Sequence, residues 1–207
     1  VFHDESKKTI YYDHAILYVL NTPIIYTPHF SHPDPSVNKR SGFLPPKFSD
    51  DNSLGQVYSV PYFFNIAKNQ DLTLTPTIQT TENNYLTGEY RLLNDKGLFN
   101  LEANINDNDD KEGSKHYLFL NGDLESALSE FDFFIQSTNN DTYMKKNQIN
   151  DLNVLTSGFY IDDRIKDNFF SIESKSYKHL SRVGSNQWEY LYPRIIFNID
   201  DINDPYL

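Results

Sequence analysis

From Gln56 to Asn106 the chain is written in a two-residue rhythm whose second phase is almost wholly hydrophilic. In Asp71-Leu-Thr-Leu-Thr-Pro-Thr-Ile-Gln-Thr80, Leu72, Leu74 and Ile78 fall on one side, with Asp71, Thr73, Thr75, Thr77 and Gln79 on the other. Tyr85–Leu93 sets Leu86, Tyr90 and Leu92 opposite Thr87, Glu89 and Arg91. Leu98–Asn106 sets Phe99, Leu101, Ala103 and Ile105 against Asn100, Glu102 and Asn104. A period of two belongs to strands. The second face is rich in charges and amides, so it is expected to be wet rather than packed. Their length, about 9–12 residues, matches what a tilted strand needs to cross a bilayer.

Ala67-Lys-Asn-Gln70 and Asn94-Asp-Lys-Gly97 read as hairpin turns between these segments. The rhythm continues less cleanly through Lys115–Asn121, Glu130–Gln136, Val154–Ile161, Asn168–Ser174 and Arg194–Ile199. Roughly eight to ten long strands in a meander are expected. Leu124-Glu-Ser-Ala-Leu-Ser-Glu130 reads equally as a helical turn or a bulged strand. Upstream, Thr9–Tyr12, Ala15–Leu20 and Pro23–Thr27 are short β-rich runs broken by Asp13-His14 and Asn21-Thr22, as in the rungs of a stacked sheet.

Between the two rhythms lies a proline-rich connector, Tyr26-Thr-Pro-His-Phe-Ser-His-Pro-Asp-Pro35, followed by Lys39-Arg-Ser-Gly-Phe-Leu-Pro-Pro46. Together these hold five of the chain's 10 prolines, and Pro61 follows inside a strand pattern. Proline gives a ladder no donor, so it belongs on edges, strand entries and bulges. Such a cluster at the head of a strand series marks either those features or a deliberately weak edge.

Composition narrows the partners. Aromatics make up 15% of the chain within a hydrophobic share of only 38%, which suits wide two-faced sheets. A barrel with aromatic girdles and a soluble sandwich with aromatic clusters both fit. A net charge of -11 lacks the basic footprint that phosphate backbones require, so nucleic acid is not expected as a partner. With no cysteine, disulfides and thiolate sites are excluded within these residues. No apolar run reaches the roughly 20 residues of a membrane helix. No signal peptide is evident, and a start at Val1 reads as a fragment or processed segment.

Candidate chemistry is thin. His29, His32 and Asp34 are the best metal-ligand set, but the prolines prevent a helix and no third nitrogen or sulfur ligand is at hand. Asp107-Asn-Asp-Asp-Lys-Glu-Gly113 resembles a calcium loop until its fifth position, Lys111, and its twelfth, Leu118. Asn140-Asp-Thr142 fits a glycosylation sequon. No nucleophile elbow, phosphate loop or singled-out carboxylate pair emerges, so neither enzyme activity nor a cofactor is expected.

Ser41-Gly-Phe-Leu-Pro-Pro46, Val60-Pro-Tyr-Phe-Phe-Asn-Ile-Ala67 and Asp71-Leu-Thr-Leu-Thr-Pro76 resemble the LptD family of outer-membrane LPS-assembly proteins, also called organic-solvent-tolerance proteins. Pro23-Ile-Ile-Tyr-Thr-Pro28, Lys39-Arg-Ser-Gly42 and Gly88-Glu-Tyr-Arg91 match in the same order. A thinner similarity continues through Asp141-Thr-Tyr143, Leu155-Thr-Ser157 and Leu191-Tyr-Pro193. The resemblance implies an all-β chain, in which residues 1–40 end a periplasmic β-jellyroll and residues 41–207 begin a large antiparallel outer-membrane β-barrel. It implies lipopolysaccharide as cargo, an LptE-type lipoprotein plug and an LptA-type periplasmic bridge as partners. A lateral gate in the first strands is implied at Ser41, Gly42, Phe43, Leu44, Pro45, Pro46 and Pro61. The family's disulfides between jellyroll and barrel cannot be made from this segment. A soluble carbohydrate-binding β-sandwich, with Trp188 among its stacking platforms, and a passive porin-like barrel are the alternatives.

Overall fold

The computed structural model describes residues 1–19, 22–36, 39–106, 113–165 and 168–199. It divides into two units, Val1–Ser41 and Gly42–Leu207, each built on its own antiparallel sheet.

The first unit contains β1 (Phe2–Asp4), β2 (Thr9–Val19) and β3 (Thr22–Pro33), in the order β1-β2-β3. Two of the three expected rungs are one strand. Asp13-His14 does not end β2, because His14 takes a left-handed conformation (φ 52°) and pairing resumes at Ala15↔Thr27. The missing partner there is Pro28, which has no N–H to offer. The connector is also shorter than expected, since β3 runs through Pro23 and Pro28 to Pro33. As an edge strand, β3 can carry prolines at modest cost. Tyr12 stacks on His32 with ring centroids 5.4 Å apart, and Asp34 lies 2.8 Å from His3. Hydrogen bonds from the Ser36 backbone and side chain, with His3 beside them, hold the Asp34 carboxyl below its usual range.

The second unit holds β4 (Gly42–Phe43), β5 (Lys47–Asp51), β6 (Gly55–Ser59), β7 (Tyr62–Ala67), β8 (Gln70–Gln79), β9 (Tyr85–Asn94), β10 (Gly97–Asn106), β11 (His116–Glu125) and β12 (Ser129–Thr138). A short helix α1 (Tyr143–Lys146) precedes β13 (Val154–Ile165), β14 (Asn168–His179) and β15 (Trp188–Ile199). From β8 onward each strand pairs with the next. Upstream, β6 and β7 both lie on β8 in one register, while β5 pairs with β6 and β4 with β7. Thus β4 with β5 forms one interrupted strand path, and β6 with β7 a second. The chain is all-β in a meander, as its rhythm implies. Leu124–Glu130 is neither helix nor bulge: β11 ends at Glu125, and Ser126 N–H donates to Ser129 O at 2.8 Å to turn the chain into β12.

The loops are unequal at the two ends. Lys68-Asn69, Asp95-Lys96 and Ser126–Leu128 join strands tightly at one end; at the other the connections are residues 80–84, 107–115, 139–153 and 180–187, with the three-residue β5–β6 turn at 52–54 as the short exception. Short turns at one end and long loops at the other are how transmembrane barrels are built.

Candidate functional site

Register assigns every β8–β12 side chain to one of two faces. Asp71, Thr73, Thr75 and Thr77 stand beside Arg91, Glu89, Thr87 and Tyr85, then Asn100 to Asn106, then Tyr117 to Asp123. The other face carries Leu72, Leu74, Ile78, Leu86, Leu92, Phe99, Leu101, Ile105, Leu118 and Leu120. Burial is inverted. On the polar face Asp71, Thr77 and Asn104 are 4%, 2% and 2% exposed, while Ile78 and Ile105 on the apolar face are 56% and 49% exposed. A water-soluble sandwich does the reverse, enclosing its apolar faces against each other. Several of the enclosed polar groups satisfy one another, while the side-chain amide of Gln79 and Oδ1 of Asn100 are buried without a partner. Arg91 Nε donates to Asp71 Oδ1 at 2.7 Å, Asn104 Nδ2 to Thr87 Oγ1 at 2.7 Å, and Tyr117 Oη to Glu102 Oε1 at 2.5 Å.

The loop of residues 139–153 folds onto this polar face at the long-loop end. Tyr143 and Met144 of α1 bury themselves with Tyr117 and Leu155, against Phe119, Ile149, Leu152 and Leu180. The Tyr143 hydroxyl donates to Asn104 Oδ1, and burial pushes that phenol's pKa up. Lys146 reaches Glu82 at 2.9 Å, and Asp141 is held by Lys178 at 2.7 Å and Gln187 at 2.5 Å. The β12–β13 ladder stops at Phe134↔Gly158 to admit the loop. Gln136 then bridges the gap, receiving Thr156 N–H on Oε1 at 2.8 Å and donating its own N–H to Ser157 Oγ at 3.0 Å.

The expected gate residues lie where the first two strand paths break. Ser41 belongs to the first unit; Gly42 and Phe43 form β4; Leu44, Pro45 and Pro46 separate β4 from β5; Pro61 stands in the gap between β6 and β7. Phe43 pairs with Tyr62 and Lys47 with Ser59, so three residues face two across the break, a one-residue bulge. Leu44 N–H donates to Pro61 O at 2.9 Å, joining two of the expected residues directly. In a closely spaced antiparallel pair each residue both gives and takes a bond. Pro61 cannot give, so this pair keeps one bond of two. Phe43 is 75% exposed and meets Tyr62 edge-on at 4.9 Å, whereas Pro61 is buried.

One residue escaped sequence reasoning. Pro76 lies in β8 opposite Val60, whose N–H donates to Pro76 O at 3.3 Å. Its place beside the gap follows from the Lys68-Asn69 turn together with the register shift between Asn65 and Ala67, which lead to Tyr62↔Leu74.

Other candidates separate. His29 pairs with Asp13 at 2.9 Å, His32 with Tyr12 and its neighbour's carbonyl, and Asp34 with His3. Among the described residues no three potential ligands gather for a metal. Asp107–Glu112 of the calcium-like loop lie outside the described residues. Asn140 of the sequon turns back on Thr142, accepting from its N–H at 3.2 Å. Trp188 stacks on Tyr190 at 6.2 Å along β15.

LPS-assembly protein LptD of Idiomarina loihiensis is 32% identical over 135 residues, covering 63% of this chain. LptD of Pseudomonas aeruginosa strain UCBPP-PA14 is 40% identical over half of the chain, and that of Psychrobacter arcticus 29% over 84%. The chain resembles a segment of LptD. It spans 18%, 11% and 22% of the lengths of those three LptD relatives. No protein-family model matches it.

Proposed function

We propose that residues 42–199 are the leading wall of an outer-membrane β-barrel that delivers lipopolysaccharide to the outer leaflet through a seam at its first strands. Residues 1–40 are on this reading the closing strands of a periplasmic β-jellyroll that carries the lipid part. The observation that carries the barrel is the burial inversion, with Asp71, Thr77 and Asn104 enclosed and Ile78 and Ile105 outward. Hydrocarbon accepts such an outer face, and it forbids an open sheet edge. Both ends of the present ladder, β4–β5 and β15, therefore need further strands, which a protein as long as the LptD relatives has room to supply.

A passive porin shares the inverted sheet but has no use for a strand pair that gives up its own bonds. Export of an amphiphile does. Sugars travel along the polar face while acyl chains leave sideways, so one seam must separate and rejoin. Each ladder bond is worth about 0.5–1.5 kcal/mol net. Donor-poor positions at Pro45, Pro46 and Pro61 lower the cost of parting there and leave the β8–β14 wall intact. Ser41, Gly42, Phe43 and Leu44 complete that gate. An LptE-type lipoprotein filling the lumen and an LptA-type bridge feeding the jellyroll are the partners this route requires.

The test replaces Pro46 and Pro61 together by valine in cells that depend on the protein for LPS export. Assembly into the outer membrane, followed by gel mobility before and after heating, should be nearly unchanged, while LPS reaching the surface falls severalfold. Normal surface LPS in the assembled double variant overturns the gate.

A further inference from the structure

Val60 and Pro61 are consecutive, and their ladder contacts point opposite ways. Pro61 pairs with Leu44 on the β4–β5 side, and Val60 pairs with Pro76 on the β8 side. Both pairs lack the same thing. Pro61 has no N–H to return to Leu44, and Pro76 has none to return to Val60. One peptide of the second strand path is thus half-attached on its left and half-attached on its right. The β8 side is otherwise regular there. Ser59↔Thr77 and Tyr62↔Leu74 keep a single register across the gap, so the interruption comes from a missing donor and not from a slipped strand.

Toward the β4–β5 path the two halves are fastened unequally, although on the β8 side it is β7 that has five residue pairs and β6 three. β5 and β6 share five residue pairs, closed by Asp51 Oδ1 accepting from Ser53 N–H at 2.7 Å and Leu54 N–H at 3.1 Å. Gln56 N–H adds a bond to Thr80 Oγ1 at 2.9 Å. By contrast β4 shares two residue pairs with β7, Gly42↔Phe63 and Phe43↔Tyr62, followed by the single Leu44–Pro61 bond.

We propose that Pro76 is a third gate residue: with Pro61 it makes the Val60–Pro61 peptide a swivel about which β4 and the adjoining end of β7 turn while the β5–β6 hairpin stays fixed. The seam then opens as a half-length slit at the tight-turn end of the sheet. This deepens the gate reading above and rests on it.

The experiment restores the donor. Pro76→Val, with Pro76→Ala as a second variant and Ile78→Val as a control on the same face, is made in the full protein and assembled in the outer membrane. Hydrogen exchange is followed in peptides covering Leu44 and Val60, and LPS delivery is measured in the same cells. Regaining one ladder bond should slow exchange at Val60 about two- to tenfold, slow delivery, and leave the Ile78→Val protein as it was. Unchanged exchange in both folded Pro76 variants overturns the swivel, even where the Pro46 and Pro61 double variant blocks export. Slowed exchange with undiminished delivery overturns its part in export. If the Pro46 and Pro61 double variant then also delivers normally, the gate reading itself has failed.

Discussion

Gly97 follows the Asp95-Lys96 turn with φ at 148°, and a Cβ built on it would sit 1.9 Å from the Asp123 carbonyl oxygen. Backbone offers no rotamer by which to step aside, so the β10 and β11 chains approach this closely only over a glycine. Gly97→Ala combines left-handed strain with that clash and should cost at least about 2 kcal/mol, read as a lower unfolding midpoint in detergent. Gly42→Ala is the matched control, because its Cβ would meet no atom within 4 Å. Equal midpoints for the two variants would remove the close approach from the account of register. The proline argument has the same logic in reverse, since Pro61 and Pro76 matter for an atom they lack. Prolines are visible in any sequence, yet what each one withholds becomes visible only when register names its partner. Pro61 was legible because it interrupts a strand pattern; Pro76 sits inside a clean alternation, and nothing local marks it.

Among the elements, the meander is legible in its own sequence and the inward-folded loop of residues 139–153 is not. β8, β9 and β10 alternate cleanly apart from Leu93 and Leu98, and the β9–β10 turn carries Asn and Gly where a tight hairpin needs them. β11 to β15 alternate less cleanly, with Phe119 and Phe134 on the polar face, so their ends were underestimated. Asp13-His14 looks like a break in β2, whereas a single left-handed residue, His14, absorbs it. The loop of residues 139–153 has no alternation at all. Only Tyr143-Met144 inside a polar run hints that it folds inward, and the partners Asn104 and Tyr117 lie far off in sequence. Tyr143→Ala removes a ring that is 2% exposed and should cost about 3–5 kcal/mol locally. The loop then undocks, and tryptic cleavage after Lys145 or Lys146 in the folded protein should accelerate at least tenfold. An unaltered cleavage rate would mean that the ion pairs at Asp141 and Lys146 hold the loop without the ring.

For the second unit as a whole, the proposed barrel turns on which face would meet hydrocarbon. Hydrophobic share alone could not decide it, because 38% is compatible with a thin soluble core and with a barrel whose apolar residues all face outward. The pairing settles which side chains share a face, and burial separates the faces. Leu120 and Asn121 are neighbours near the middle of β11, on the apolar and the polar face respectively. Arginine at the first enters lipid near the bilayer centre, at a cost of about 2–4 kcal/mol. Arginine at the second enters a polar region where Asp123, Asp132 and Glu173 lie close by, and salt screens whatever repulsion remains. Leu120→Arg should therefore cut the yield of assembled, heat-modifiable protein severalfold, while Asn121→Arg assembles like the parent. In a soluble sheet the order reverses, since the exposed face takes a charge freely and the enclosed one does not. Assembly of Leu120→Arg at the parental level, with folding in buffer free of detergent, would therefore remove the bilayer from this fold and the seam with it.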